Sequence, residues 1–366
     1  GYREEREPHS TLPCRPMGRA LPGGGVSPPP ACPSAGYVEL PAPPGYRLEE
    51  CAPSYGFFMT APSLWNPGEF SLSRPFTLAP GRVVRATVSH PPGASLCVRC
   101  EPRGEGEELV VRQVERMLRL SPGQRGAVDR LHALVPRAQS EGFGWLFRSP
   151  TLWEDVVKSV LLCNCGFSRT ISMSRLVCEQ IGTGGGFPAP EEVVAAGEEA
   201  LRGCGLGYRA SRVLQLAGVF CGAGAGALAR ALENPAATEE ELTAALLALP
   251  GVGPFVANNI KMLLGRFRDI PADTETARHL RQVRGVPSSA ILKGGVGPAA
   301  AREYAPYDPV QFLVYWHELW RGYEAAFGAV KDMQPEDYAL CTGARMTKAT
   351  REGRQLRAGA AGGGGA

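Results

Sequence analysis

Leu249-Pro250-Gly251-Val252-Gly253-Pro254-Phe255, followed by Ile270-Pro271-Ala272-Asp273, is the stretch on which the reading of this chain turns. Glu239 to Ala248 leads into it as a helix; Thr238 is placed to cap that helix, and Glu241, three residues on, closes a capping box. The Pro-Gly-Val-Gly turn stops it, because glycine adopts backbone angles that side chains resist. A second helix starts at Pro254, whose missing amide hydrogen is no loss at a first helical position. Val256, Ile260, Leu263 and Leu264 recur with the period of one buried helix face. Such a turn exposes backbone. Gly251 and Gly253 let a phosphate approach, and the amides from Val252 to Phe255, at the positive end of the second helix, point toward it. A plain packing corner has the same local sequence. What separates the two readings is Asp273, twenty residues after Gly253, where a proline-stiffened loop holds one carboxylate near the hairpin.

A glycine hairpin, a helix, a proline-containing loop and an aspartate in that order resemble the HhH-GPD superfamily of base-excision DNA glycosylases. Gly251, Gly253, Pro271 and Asp273 occupy those places, and the resemblance extends more weakly over residues 40–340. It implies an α+β protein, with a mostly α-helical HhH-GPD glycosylase core and an N-terminal antiparallel β domain. It also implies Asp273 as the catalytic residue, and Gly251, Val252, Gly253 and Phe255 as contacts to the DNA backbone.

At 366 residues the chain has room for two or three domains. With 20% charged and 44% hydrophobic residues it has an ordinary globular composition, and its net charge of +3 means that any DNA site depends on local clustering of basic residues. Eleven cysteines are scattered without a secretory signal, which points to reduced thiols rather than a disulfide framework. Cys97-Val98-Arg99-Cys100 has no second pair to complete a zinc site and fits strand alternation. Some members of the superfamily carry an iron–sulfur cluster on four cysteines after the aspartate. Here only Cys341 follows Asp273, so no cofactor and no metal are expected. Val213 to Ala229 is uncharged but short and interrupted by Gly218, Gly222, Gly224 and Gly226; it reads as a buried helix and a loose loop, not a membrane span.

In chain order, residues 1–36 are rich in Pro, Gly and Arg and are expected to be disordered. Residues 37–108 form a β domain, with strands at Val83–Val88 and Ser95–Cys100 joined through Pro91-Pro92-Gly93. Residues 109–340 are helical. In the segment Val110–Leu120, Val111, Val114, Met117 and Leu118 share one side and Arg119 falls elsewhere; a strong helix then follows Ser149-Pro150-Thr151, capped by Ser149 or Thr151. Residues 341–366 are a basic, Gly-rich tail, expected to be disordered. Its Arg345, Lys348, Arg351, Arg354 and Arg357 fit a weak nuclear signal, so the nucleus is the expected compartment; a start at Gly1 rather than Met leaves an organellar leader open.

Two further runs match the 8-oxoguanine branch. Asn164-Cys165-Gly166-Phe167-Ser168-Arg169 is similar to an Asn-x-x-x-x-Arg that contacts the base left unpaired after flipping. Gly205-Leu206-Gly207-Tyr208-Arg209-Ala210 is similar to the run whose Tyr and Arg enter the duplex beside the vacated stack. A helix-end Asn, a surface Arg and a core Tyr are the plain alternatives. Asp308-Pro309 is read as the cap and first turn of a last helix, whose Phe312 and Trp316 are candidates for the base pocket as well as for core. Arg278, His279, Arg281 and Arg284 form a modest basic patch.

Bifunctional members of the superfamily place a lysine two residues after the second hairpin glycine, to attack the sugar as an amine. Here that residue is Phe255, and Lys261 lies almost two helical turns further on. The expectation is a monomeric, monofunctional DNA glycosylase that uses water on double-stranded DNA containing a damaged base, an alkylated purine first. An 8-oxoguanine-type glycosylase and a non-catalytic hairpin DNA-binding protein are the alternatives.

Overall fold

A computed structural model describes residues 36–343 and residue 345. Nearly all of the segment 1–36 and of the tail 341–366, both expected to be disordered, lies outside the described residues.

Five strands, β1 (Val38–Leu40), β2 (Leu64–Asn66), β3 (Ser71–Ala79), β4 (Arg82–Ser89) and β5 (Leu96–Glu101), make one sheet in the order β1-β5-β4-β3-β2. Every pairing is antiparallel, with Phe76 opposite Val84 and Val88 opposite Val98. Alternation in β4 buries Val84, Ala86 and Val88 and turns Arg85 to solvent, the pattern of a sheet with one covered face. The helices are α1 (Leu48–Cys51), α2 (Glu107–Met117), α3 (Arg125–Leu134), α4 (Pro136–Ser140), α5 (Leu152–Leu161), α6 (Phe167–Gln180), α7 (Pro190–Gly203) and α8 (Arg209–Cys221). They continue as α9 (Ala225–Leu232), α10 (Glu239–Leu247), α11 (Pro254–Leu263), α12 (Thr274–Gln282), α13 (Ser288–Gly294), α14 (Val296–Tyr304) and α15 (Gln311–Phe327).

Two hydrophobic cores result. One joins the sheet to the late helices, so that Phe58, Val98 and Leu263 share a cluster with Phe312 and Leu319. The other lies among α5 to α11, with Val157, Leu201, Val213, Leu246 and Ile260. The sheet therefore has no core of its own.

A buried ion triad clasps the sheet to the second core. Arg74 on β3 meets Glu154 on α5 through two hydrogen bonds of 3.1 and 2.6 Å, and Lys158 reaches the same carboxylate at 2.7 Å. Burial pushes the Glu154 carboxyl up; Arg74 and then Lys158 outweigh this and hold it below the ordinary range.

Five local expectations are corrected. Thr151, not Ser149, caps α5 by accepting from the Glu154 amide at 3.2 Å, since it is the residue with extended backbone angles. Arg119 is fully buried in the left-handed region (φ 57°), where it serves helix carbonyls. The stretch expected to be a loose loop after α8 folds as α9, because Gly222 ends α8 while Leu228 and Leu232 still find the second core. Asp308 does not cap α15; it pairs with Arg268 at 2.9 Å, while α15 begins at Gln311 and the Phe312 amide donates to the Phe267 carbonyl. Cys97 departs from the expected reduced thiols in being disulfide-bonded, while the other eight described cysteines are free. Among the described residues no single helix is long and apolar enough to cross a membrane; α8 and α9 meet that test only as a pair bent by 99°.

Candidate active site

The hairpin is built as its residues dictate. Thr238 accepts from the Glu241 amide at 3.1 Å and donates its own amide to Glu241 at 2.9 Å, so both halves of the capping box form on α10. Gly251 takes φ 75°, open to glycine and costly for most other residues. Gly253 is extended, and a Cβ built on it meets nothing within 4 Å, so its missing side chain leaves open space outside the turn. No side chain caps the N-terminus of α11, and Phe255 is half-buried there. Val252 departs from its expected place: its side chain is buried in the second core, and its amide closes the turn on the Leu249 carbonyl at 3.2 Å. The opposite end of α11 is closed. Arg119 donates to the carbonyls of Met262 and Leu263 at 3.0 Å each, and Arg148 to Leu263 at 3.0 Å. Two buried cations thus satisfy the helix's negative end and leave the positive end facing outward.

Asp273 is the N-cap of α12. Its Oδ1 accepts from the Thr276 amide at 2.8 Å and from the Thr276 hydroxyl at 3.0 Å, and that hydroxyl is 3.1 Å from the Tyr315 hydroxyl. The Glu275 amide also supports the carboxylate, more weakly than Thr276 does. Asp273 is an exposed residue, and it lines a cavity of about 350 Å³. Crowding around it raises its pKa; the Thr276 amide and hydroxyl oppose that rise without cancelling it.

The cavity walls are aromatic. Phe312 and Trp316, one turn apart on α15, stack at 5.7 Å, and Trp316 stacks on Trp320 at 5.6 Å. Tyr55, Phe57, Phe167, Phe255 and Tyr315 complete much of the lining. Two side chains tie this wall to the hairpin: the Tyr55 hydroxyl donates to Asn259 Oδ1 at 3.1 Å, and Asn259 donates to the Phe255 carbonyl at 3.0 Å. Phe312, Trp316, Phe255 and Asp273 thus come together in one cavity. Tyr55, Phe57, Phe167 and Asn259 were not foreseen; the only local signal was the aromatic run Tyr55-Gly56-Phe57-Phe58.

The wedge residues adjoin it. Cys165, Gly166 and Phe167 line the cavity, and Asn164, immediately before them, sits at φ 50° with its side chain donating to the Tyr208 hydroxyl at 3.0 Å. Asn tolerates this left-handed conformation better than most residues. Tyr208 is 54% exposed, and exposed Arg169 donates to the Gly205 carbonyl at 2.9 Å. Arg209 is turned inward: it is buried, its guanidinium donates to the Cys163 carbonyl and lies 4.6 Å from the centre of the Tyr208 ring. It braces Tyr208 and Asn164 instead of standing beside them, because position 209 faces the helix interior. Most of the basic patch on and after α12 is neutralised, with Arg281 left exposed. Arg278 pairs with Glu275, Arg284 with Glu303 and Glu318, and His279 is buried against Tyr304 and Glu318.

Lys261 is buried away from the cavity, where it pairs with Glu239 at 2.7 Å and with Asp269 and lies 3.2 Å from the Thr243 hydroxyl. Burial pushes its ammonium down, but the bonds to Asp269 and Glu239 win and raise its pKa. It is held as a cation, not as a nucleophilic amine.

A helix–hairpin–helix beside an antiparallel sheet is a fold similar to that of solved DNA glycosylases. The 3-methyladenine DNA glycosylase from Archaeoglobus fulgidus superposes with a TM-score of 0.57 at 19% identity, covering 78% of this chain and 97% of that one. MBOgg1, solved with a low affinity DNA ligand, gives 0.55 at 18% identity over 77% and 94% of the two chains. The 8-oxoguanine glycosylase/lyase of Clostridium acetobutylicum in its apo-form gives 0.52 at 14% identity over 78% and 98%. No family model matches the chain, and no curated protein matches it.

Proposed function

We propose that this protein is a monofunctional DNA glycosylase that hydrolyses the N-glycosidic bond of a damaged base flipped out of duplex DNA, with alkylated purines as its first substrates. The observation that carries the proposal is the aromatic cavity with the Asp273 carboxylate on its lining and Phe255 where an amine would stand. Electron-rich ring faces attract cationic bases, and purines methylated at N3 or N7 are cations with a weakened glycosidic bond. As that bond breaks, positive charge builds on the sugar. A carboxylate fixed by Thr276 stabilises that charge and orients the attacking water. Flipping costs a few kcal/mol, on the order of one unstacked pair. The hairpin's grip on a phosphate and the exposed Tyr208 ring in the opened stack offset it.

The oxidised-purine reading keeps one specific support, the Gly205–Ala210 run and its Tyr208–Asn164 contact. A binding protein without catalysis has no use for a carboxylate gating a ring-lined cavity. The protein acts as a monomer in the nucleus in this reading. Excision assays over duplexes carrying methylated purines, 8-oxoguanine or no damage decide among the three. The expected product is an intact strand with an abasic site, cut only after hot alkali, and borohydride added during turnover traps no adduct. Preferred release of 8-oxoguanine would move the assignment to the oxidised-purine class, and an adduct at Lys261 would overturn the monofunctional mechanism.

A further inference from the structure

The hairpin has a basic neighbour on α8. Arg212 lies on α8 four residues after Tyr208, on the same face of the helix as the exposed ring. Its methylene stem lies on the hairpin: a Cβ built on Gly251 would meet Arg212 Cβ, Cγ and Cδ at 2.8, 3.0 and 3.3 Å. Gly251 is thus constrained twice, by its φ of 75° and by the arginine that occupies the space beside it. The stem is held, the side chain is exposed, and among the described residues its guanidinium has no carboxylate within 4 Å and makes no hydrogen bond. Its neighbours are used otherwise. Arg209 and Arg169 donate to carbonyls, and Arg202 and Arg175 pair with Glu198 and Glu179.

We infer that Arg212 is a phosphate-binding residue, which grips the DNA backbone beside the hairpin and couples it to the Tyr208 wedge. The inference rests on the DNA-glycosylase reading and adds to it a cation at the anchor. A packed stem reduces the rotamer freedom lost on binding, and a guanidinium offers a planar fork of donors to phosphate oxygens. A phosphate held at once by hairpin amides and Arg212 lies one helical turn from Tyr208, so backbone grip and intercalation act on neighbouring nucleotides.

The test is duplex binding as a function of salt for the full chain, R212M and R212K, with undamaged and methylated-purine DNA. Methionine keeps most of the stem and removes the charge. R212M is expected to weaken both duplexes alike, about five- to tenfold, and to reduce the salt slope by about one. R212K is expected to restore the slope and part of the affinity. An unchanged slope in R212M, with the wild type binding normally, would overturn the role of Arg212 alone. Failure of the wild type to bind either duplex would overturn the glycosylase reading and this inference with it. A loss confined to damaged DNA would place Arg212 in base recognition and also overturn the inference.

Discussion

Asp273 carries two duties. Oδ1 caps α12 through Thr276, while the carboxylate as a whole lines the cavity. Asn keeps an acceptor for the cap but has no charge for the sugar cation. D273N should therefore bind DNA as the wild type does and lose at least about 10²–10³ in excision rate, read by single-turnover assay. Activity near wild type would remove Asp273 from the mechanism. The raised carboxyl makes a second outcome testable. Its pKa in the folded protein lies above the ordinary 3.8, so the folded state binds this proton more tightly than the unfolded chain does. The charged form therefore costs stability above the folded pKa, and that cost disappears as pH falls through the window down to 3.8. D273N, which never ionises, should melt at or above the wild-type temperature at neutral pH, with the gap closing in acid. Excision by the wild type should fall on the acid side with an apparent pKa above 3.8. A D273N protein less stable at neutral pH than in acid, relative to wild type, would contradict the raised pKa.

At the scale of the element, α11 is polarised by what surrounds its ends. Arg119 and Arg148 close its carbonyl end, and no side chain closes its amide end. Replacing Arg119 with Met removes the donor to the buried Leu146 carbonyl and one donor each from the Met262 and Leu263 carbonyls, which keep the Gly265 amide and Arg148. The expected loss is about 2–4 kcal/mol by denaturant titration, with DNA affinity retained wherever the variant is folded. A loss under about 0.5 kcal/mol would mean that water reaches these carbonyls. The open end behaves differently. G253E adds bulk and negative charge where a Cβ meets nothing within 4 Å, so it should leave stability nearly unchanged and weaken damaged and undamaged duplexes alike. Y208A removes an exposed ring and the acceptor for Asn164. It should slow excision of well-paired bases more than of bases in loose mismatches; equal slowing on both would count against a wedge.

At the scale of the molecule, two cores must hold one cavity in register. The cavity takes Tyr55, Phe312 and Trp320 from around the first core and Phe255 and Cys165 from the second. The Arg74–Glu154–Lys158 clasp is a buried ionic tie between them, and removing its centre leaves two cations facing each other out of water. E154A should cost about 3–5 kcal/mol by chemical denaturation. Glu154 also adds acid sensitivity: its lowered carboxyl contributes stability at neutral pH that is lost as pH falls below 4.5 through the folded value.

What the chain determined by local sequence are the features that neighbours a few residues apart can settle. The capping box at Thr238 and Glu241, the left-handed glycine at 251, the start of α11 at Pro254 and the placing of Asp273 after a proline loop are such features. So is the exposed Tyr208 at the head of α8. Tertiary structure alone decided which atoms meet across long separations. Tyr55 reaches Asn259, 204 residues away, and Trp316 reaches the Ser54 carbonyl across 262. The same is true of Arg119 under α11, Arg209 behind Tyr208 and Arg212 on Gly251. The physical reason is that helix period and turn chemistry specify backbone angles and a buried face, whereas the fate of a long charged or aromatic side chain depends on whichever carbonyl, carboxylate or ring packing brings within reach.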